Sequence, residues 1–346
     1  MTALSDNRTS AGTPVISVVV PACNVAPYLS ECLESIRVQT FTGFECIVVD
    51  DGSTDDSAAI AQSFCDADPR FSLTRQAYGG VSRARNTGIV SSRGCYLAFV
   101  DSDDVCHPEL LERLLEAIRR TGAPLAVTGL QHFEDGLKGR TYRDPFAPPA
   151  DSPETVDERG FWEMRHANPS QVGNHVHTKL FCRCLFDDLR FREGMFFEDV
   201  EILTRMMPRL DRIAVVPGIL YDYRVHPTSI LETLDAAGRL DGIEAYTLRG
   251  EHLERCGWPD LVRANAPFIL RHASEYARLE PGASPEVKER AKGILARAKR
   301  FCGIAARVSD GDRGLTVRLA VMAASWRLYA ASARYARKRR PGAPSR

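Results

Sequence analysis
Over the first 130 residues, short apolar runs alternate with amphipathic stretches. VISVVV (15–20), FECIVV (44–49) and CYLAFV (95–100) are continuous β-branched or aromatic runs, the pattern of strands covered on both faces. Residues 71–75 and 124–129 read as two further strands. The stretches between them read as helices. One runs from Pro27 to Val38, with the proline suited to a first turn. Another follows DDGSTDDS, where Ser53 or Thr54 can cap a helix and Asp55 and Asp56 suit its positive end. A third spans 81–90. In a fourth, Leu110, Leu111, Leu114, Leu115 and Ile118 share one face, with Pro108 at the start and Gly122 just past the end. This alternation predicts an α/β fold with a mostly parallel sheet flanked by helices. Beyond residue 235, Ala, Leu, Arg and Glu at helical spacing predict a helical C-terminal extension.

Composition narrows the function classes. The chain has 346 residues, of which 44% are hydrophobic and 26% charged, enough to bury a sizeable core. Its formal net charge is zero, which argues against nucleic acid as a partner. The ten cysteines form no C-x-x-C pair, and Cys182 and Cys184, the one close pair, lack the usual zinc spacing. Reduced thiols in a cytoplasmic protein are the simplest expectation. Residues 1–13 are polar without an apolar h-region, so they are expected to be disordered rather than a signal peptide. No run of about 18 apolar residues predicts a membrane span.

The chemistry gathers at strand ends. CYLAFV breaks into DSDD, placing Asp101, Asp103 and Asp104 where open α/β sheets bind ligands. Such carboxylates repel one another unless a cation or hydrogen-bond donors offset them. Mg²⁺ or Mn²⁺ bound by one or two of them could carry a diphosphate. A solvated helix cap is the plainer reading of an isolated D-x-D. No G-x-G-x-x-G and no G-x-x-x-x-G-K-[ST] follows the first strand, so a nucleotide would not be held in the Rossmann or P-loop manner.

VISVVVPACNVAPYLSECLESIRVQTFTGFECIVVDDGSTDDS, GGVSRARNTGIVSSRGCYLAFVDSDD, FREGMFFEDVEILTRM and LYDYRVHPTSI, in this order, resemble the family 2 glycosyltransferases, which have a GT-A fold. The resemblance covers about residues 14–230, two thirds of the chain. It implies a GT-A glycosyltransferase domain there, with 231–346 as a helical region ending in a basic amphipathic segment. It implies a metal-dependent, inverting transfer of a sugar from a nucleoside-diphosphate donor, a UDP-sugar first, to a hydroxyl acceptor in surface polysaccharide or glycolipid assembly. By the same resemblance Asp51 contacts the base, with Pro21 and Asn24 beside it. Arg85 and Asn86 line the donor site, Asp101 lies by the ribose and metal, and Asp103 is the main metal ligand. Asp199 is the general base, with Glu198 as an acceptor contact. Two positions depart from the family pattern: Cys23 stands where a stacking Tyr is common, and Tyr78 where Asn is common.

Tyr223 and Arg224 could close over the diphosphate, or Arg224 could be a surface residue. His226 could be a third metal ligand or a loop residue. His175 and His177, spaced by two, read as one face of a strand, either a metal pair or an ordinary acceptor-pocket wall or buried histidines. Lys179 could help hold phosphate. Residues 314–346 contain no Asp or Glu but carry Arg318, Arg327, Arg334, Arg337, Lys338, Arg339 and Arg340 among Trp326, Leu328 and Tyr329. That mixture suits an anionic membrane surface, on the inner face of the plasma membrane, and a lipid-linked glycan acceptor. A packing helix with a solvated basic end is the alternative. Two other classes stay open: a sugar nucleotidyltransferase, which would show a Gly-rich loop after the first strand, and a non-catalytic glycan-binding or scaffold protein on a transferase fold.

Overall fold
The computed structural model describes residues 13–134, 154–226, 234–308 and 310–338, without the side chains of 337 and 338. Residues 1–12 of the expected disordered start, 227–233 and the basic end 339–346 lie outside the described residues. The chain divides into two compact units. One comprises the described residues up to Gly194 together with 205–226; the other comprises Met195–Thr204 and the described residues from Leu234 onward.

The first unit is built on a sheet. β1 (Ile16–Ala22), β2 (Phe44–Asp51), β3 (Phe71–Gln76) and β4 (Tyr96–Phe99) lie parallel in the order β3–β2–β1–β4. Further strands are β5 (Val105–Cys106), β6 (Leu125–Glu134), β7 (Thr155–Val156), β8 (Lys179–Cys182) and β9 (Ile213–Val225). Strand β8 inserts antiparallel between β4 and β6, and β9 lies parallel to β6. The sheet is therefore mixed past β4. The inserted strand comes from residues beyond 178, so no pattern within the first 130 residues could show it.

Both faces of β1, β2 and β4 are covered, as their unbroken apolar runs predict, while β3 at the sheet edge is only partly buried. Ile16, Val18 and Val20 pack with Cys46 and Val48 and with residues of α1 (Ala26–Arg37) and α4 (Leu110–Thr121). On the other face Phe99 meets the rings of Phe181, Phe186 and Phe191, all within 5.9 Å between centroids. Helix α4 buries the five residues expected and stops at Gly122, whose φ of 69° is the left-handed cap geometry. Helix α2 (Ser57–Ala67) is not capped by Ser53 or Thr54; those hydroxyls go to Asn24 instead. Helix α3 (Val81–Ser91) precedes β4 and α5 (Glu158–Ala167) comes later, while α6 (Glu198–Met206) begins in the second unit. Cys182 and Cys184 are joined in a disulfide, contrary to the expectation of reduced thiols throughout. The turn after β8 brings their Cα atoms to 5.3 Å, within disulfide reach.

The second unit is helical: α7 (Ala236–Arg255), α8 (Pro259–Leu279), α9 (Pro285–Ala305), α10 (Arg313–Ala324) and α11 (Trp326–Lys338). Asp235, Ser284 and Asp312 cap α7, α9 and α10 with side-chain oxygens. Helices α10 and α11 are packed parts of this unit. Leu319, Met322, Tyr329 and Ala330 are buried. The Tyr329 hydroxyl donates to the Leu270 carbonyl at 2.8 Å, and Arg334 donates to the Ala277 carbonyl at 3.0 Å. What stays outward is Val317, Leu328 and Tyr335 with Arg318 and Arg327.

Candidate active site
The DSDD turn leaves the end of β4 with donors aimed at it. Arg85, buried on α3, places Nη2 2.7 Å from Asp101 Oδ1, and His177 Nδ1 lies 3.0 Å from Asp101 Oδ2. Burial opposes the charge on Asp101, but Arg85 and His177 outweigh it and hold the carboxyl well below the usual range. A quarter of the Asp101 side chain remains accessible. Asp104 is buried completely. It accepts from the Tyr221 hydroxyl at 2.9 Å and the Arg224 amide at 2.8 Å. Burial, then the charges of Asp103 and Asp101, push its carboxyl well above the usual range. Tyr221 also accepts from the Asp101 amide at 3.1 Å, so one hydroxyl ties both ends of the turn.

Asp103 Oδ2 is met by His226 Nε2 at 2.9 Å. Arg224 donates Nε to the Asp103 carbonyl at 2.7 Å and pairs with Glu31, under cover of the Tyr28 and Phe133 rings. The structure thus gives Arg224 a scaffolding position at the turn, 4% exposed. His177 stacks on Tyr221 at 4.3 Å and on His175 at 4.9 Å. The two histidines do not share a strand face, because Val176–Thr178 is a 3-10 turn. Lys179 is buried, with its ammonium given to the carbonyls of Gly173 and His175 and to Thr178. Its phosphate-holding reading is set aside, since it is spent inside the fold.

A second cluster surrounds Asp51. Its Oδ1 accepts from Gln76 Nε2 at 2.7 Å and the Gly79 amide at 2.9 Å, and Oδ2 accepts from the Gly80 amide at 2.7 Å. Tyr78 stands 73% exposed on that loop. Pro21 is buried near the end of β1. Asn24 takes a positive φ of 53° and accepts from the Thr54 amide at 2.9 Å. Asn86 bonds the Phe191 amide and carbonyl, both at 2.9 Å.

Glu198 and Asp199 open α6 within the second unit. Phe197, just before them, has φ 63°. For an aromatic residue this left-handed backbone costs on the order of 1–3 kcal/mol and persists only where surroundings impose it.

Carboxylate and imidazole atoms of Asp101, Asp104 and His177 lie within 4.8 Å of one another, and the carboxylates among them are the oxygen donors that Mn²⁺ or Mg²⁺ takes. Sequence reasoning singled out Asp101 and Asp103 but missed Tyr221 and Glu31, and it gave His177 no link to Asp101. The one available signal was the alternation of Tyr221 and Tyr223 on β9.

A carboxylate turn at the end of a parallel strand, in a mixed sheet flanked by helices, defines the GT-A class of fold. Residues 1–349 of TarS from S. aureus, solved in complex with UDP-GlcNAc, share it with a TM-score of 0.66 over 93% of this chain and 91% of that one, at 20% identity. The model of Glycosyl transferase family 2 matches residues 17–188. Glycosyltransferase GlyG of Streptococcus pneumoniae is 31% identical over 241 residues, 67% of this chain and 78% of GlyG. The uncharacterized glycosyltransferase EpsJ of Bacillus subtilis is 33% identical over 225 residues, and the match spans only 63% of EpsJ. The chain belongs to glycosyl transferase family 2.

Proposed function
We propose that this protein is an inverting glycosyltransferase, moving a sugar from a UDP-sugar to a hydroxyl of a glycan or lipid-linked glycan during cell-surface polysaccharide or glycolipid assembly. The observation that carries this is the Asp101–Asp104 turn, whose accessible carboxylates stand ringed by fixed donors. The family membership supports the reaction class, and the TarS complex supports a uridine nucleotide. Mg²⁺ or Mn²⁺ would be held by Asp101 and Asp103, with His177 and His226 beside them, and would offset the charge of the leaving diphosphate. Asp51, with Pro21, Asn24 and Asn86, lines the donor side, while Arg85 and Arg224 keep the turn in shape.

Asp199 takes the proton from the acceptor hydroxyl as its oxygen attacks the anomeric carbon. The bond from that carbon to the diphosphate breaks, and the diphosphate leaves with the electron pair. A single displacement inverts the configuration. Glu198 contacts the acceptor.

Among the described residues no helix is long and apolar enough to cross a membrane. The outward Val317, Leu328 and Tyr335, with Arg318 and Arg327, favour peripheral contact of a cytoplasmic enzyme with the anionic inner face of the plasma membrane. The test is metal-dependent release of UDP from a panel of UDP-sugars. Release stimulated by Mn²⁺ for one sugar supports the reading; no release or transfer with any sugar nucleotide and a range of glycan acceptors overturns it.

A further inference from the structure
We propose that Asp241 and His272, on α7 and α8, are positioning residues for the segment Phe196–Asp199. This rests on the assignment of Asp199 as the base. Phe196 donates its amide to Asp241 Oδ2 at 3.0 Å. Phe197 lays its ring edge-on against His272 at 4.6 Å and reaches Tyr246 at 6.2 Å. Behind them Tyr246 stacks on His272 at 5.5 Å and on Phe268 at 5.0 Å. Two consecutive residues are therefore gripped, one by its backbone and one by its ring. They immediately precede the first turn of α6, whose Glu201 amide bonds the Phe197 carbonyl at 3.1 Å.

This grip accounts for the left-handed φ of Phe197. An aromatic residue does not adopt it unprompted, and the side chains that hold the Phe196 amide and the Phe197 ring come from α7 and α8. The approach is close enough to demand glycine at 242, where a Cβ would meet the His272 ring at 2.7 Å. Asp241 is in turn held by Arg290, 2.5 Å from Oδ1, and Arg290 also binds Glu244 at 2.6 Å. The direction in which α6 starts, and with it the Asp199 carboxylate, is thus set by the helical unit. A misplacement of about 1 Å at a catalytic group can cost ~100-fold in rate.

The experiment uses the full chain and measures kcat, donor KM and Tm for Asp241→Ala, Asp241→Asn, His272→Phe and His272→Ala, with Asp199→Asn in parallel. The amide of Asp241→Asn keeps an oxygen that can accept from Phe196 but loses the charge facing Arg290; phenylalanine at 272 keeps a ring for Phe197. Expected is a fall in kcat of about 10- to 100-fold for both alanine variants, with donor KM unchanged and kcat largely restored by Asp241→Asn and His272→Phe. Unchanged kcat in both alanine variants overturns the proposal. So does a fall in kcat that the conservative variants fail to restore, or one in which donor KM rises in step, because the effect is then structural. If Asp199→Asn keeps full turnover, the base assignment fails; loss of kcat in Asp241→Ala and its restoration in Asp241→Asn would still uphold positioning of this segment, with Glu198 as the group positioned.

Discussion

His177 Nδ1 lies 3.0 Å from one oxygen of Asp101 while Arg85 Nη2 lies 2.7 Å from the other. The carboxylate that the D-x-D pattern marks as a ligand is thus already oriented by two fixed donors. Such orientation is what a positioned ligand group requires, and it leaves Asp101 ionised far into the acid range.

Asp103→Asn is expected to weaken the metal-dependent part of UDP binding by at least about tenfold, because an amide is a poor ligand for a hard cation. Calorimetric titration of UDP with and without Mn²⁺ checks it. If the metal-dependent increment survives unchanged, Asp103 is not the ligand, and the Asp101, Asp104 and His177 group takes its place.

Asp199→Asn is expected to leave UDP affinity close to that of the parent while turnover falls by at least ~100-fold, the usual scale for losing a general base. The amide keeps the shape and cannot take the proton. Steady-state rates beside a UDP titration separate the two effects; turnover within a few-fold of the parent would shift the role to Glu198.

His272→Phe is expected to flatten the acid side of the stability curve. Burial, then Arg239 and Arg271, push the His272 imidazole down to about 3. In the unfolded chain it titrates near 6.5. Between those values the unfolded state binds the extra proton, so stability is fully present above about 6.5 and falls as pH drops toward 3. The slope contributed is at most about 1.4 kcal/mol per pH unit. Urea unfolding of parent and variant from pH 7 to 4 reads the difference; parallel curves would show that His272 does not titrate this way.

Deleting residues 313–346 is expected to destabilise the helical unit. Met322 and Tyr329 are buried, and each contributes about 2 kcal/mol by burial. Membrane contact is therefore better tested by Leu328→Glu with Tyr335→Glu, at two exposed side chains. The double variant should keep its Tm and lose co-sedimentation with anionic vesicles at low salt. If the parent itself stays in the supernatant, the membrane reading is wrong.

The sequence alone determined the parallel half of the sheet, the helices beside it and the carboxylate turn. These features are local. Unbroken apolar runs such as VISVVV must be covered on both faces, the leucine face of α4 repeats at helical spacing, and charge at a strand end needs no distant partner to be noticed. The pattern also gave the C-terminal helices, because their period survives without knowledge of what they pack on.

Only the tertiary structure decided what those residues meet. Strand β8 enters between β4 and β6 from far along the chain, carrying with it the turn that sets His177 against Asp101. Arg224 pairs with Glu31 across 193 positions of sequence, a contact of the turn that no local pattern around Arg224 could show. The basic end reads either as lipid-seeking or as a packing helix, and Tyr329 and Arg334 are taken up by α8; the sequence leaves the choice open because helical period shows that a face is apolar and not what covers it. The left-handed backbone at Phe197 is the extreme case. Nothing in FFED announces it, since it costs energy locally and its neighbours, Asp241 at the Phe196 amide and His272 at the Phe197 ring, stand some 45 and 75 residues further on.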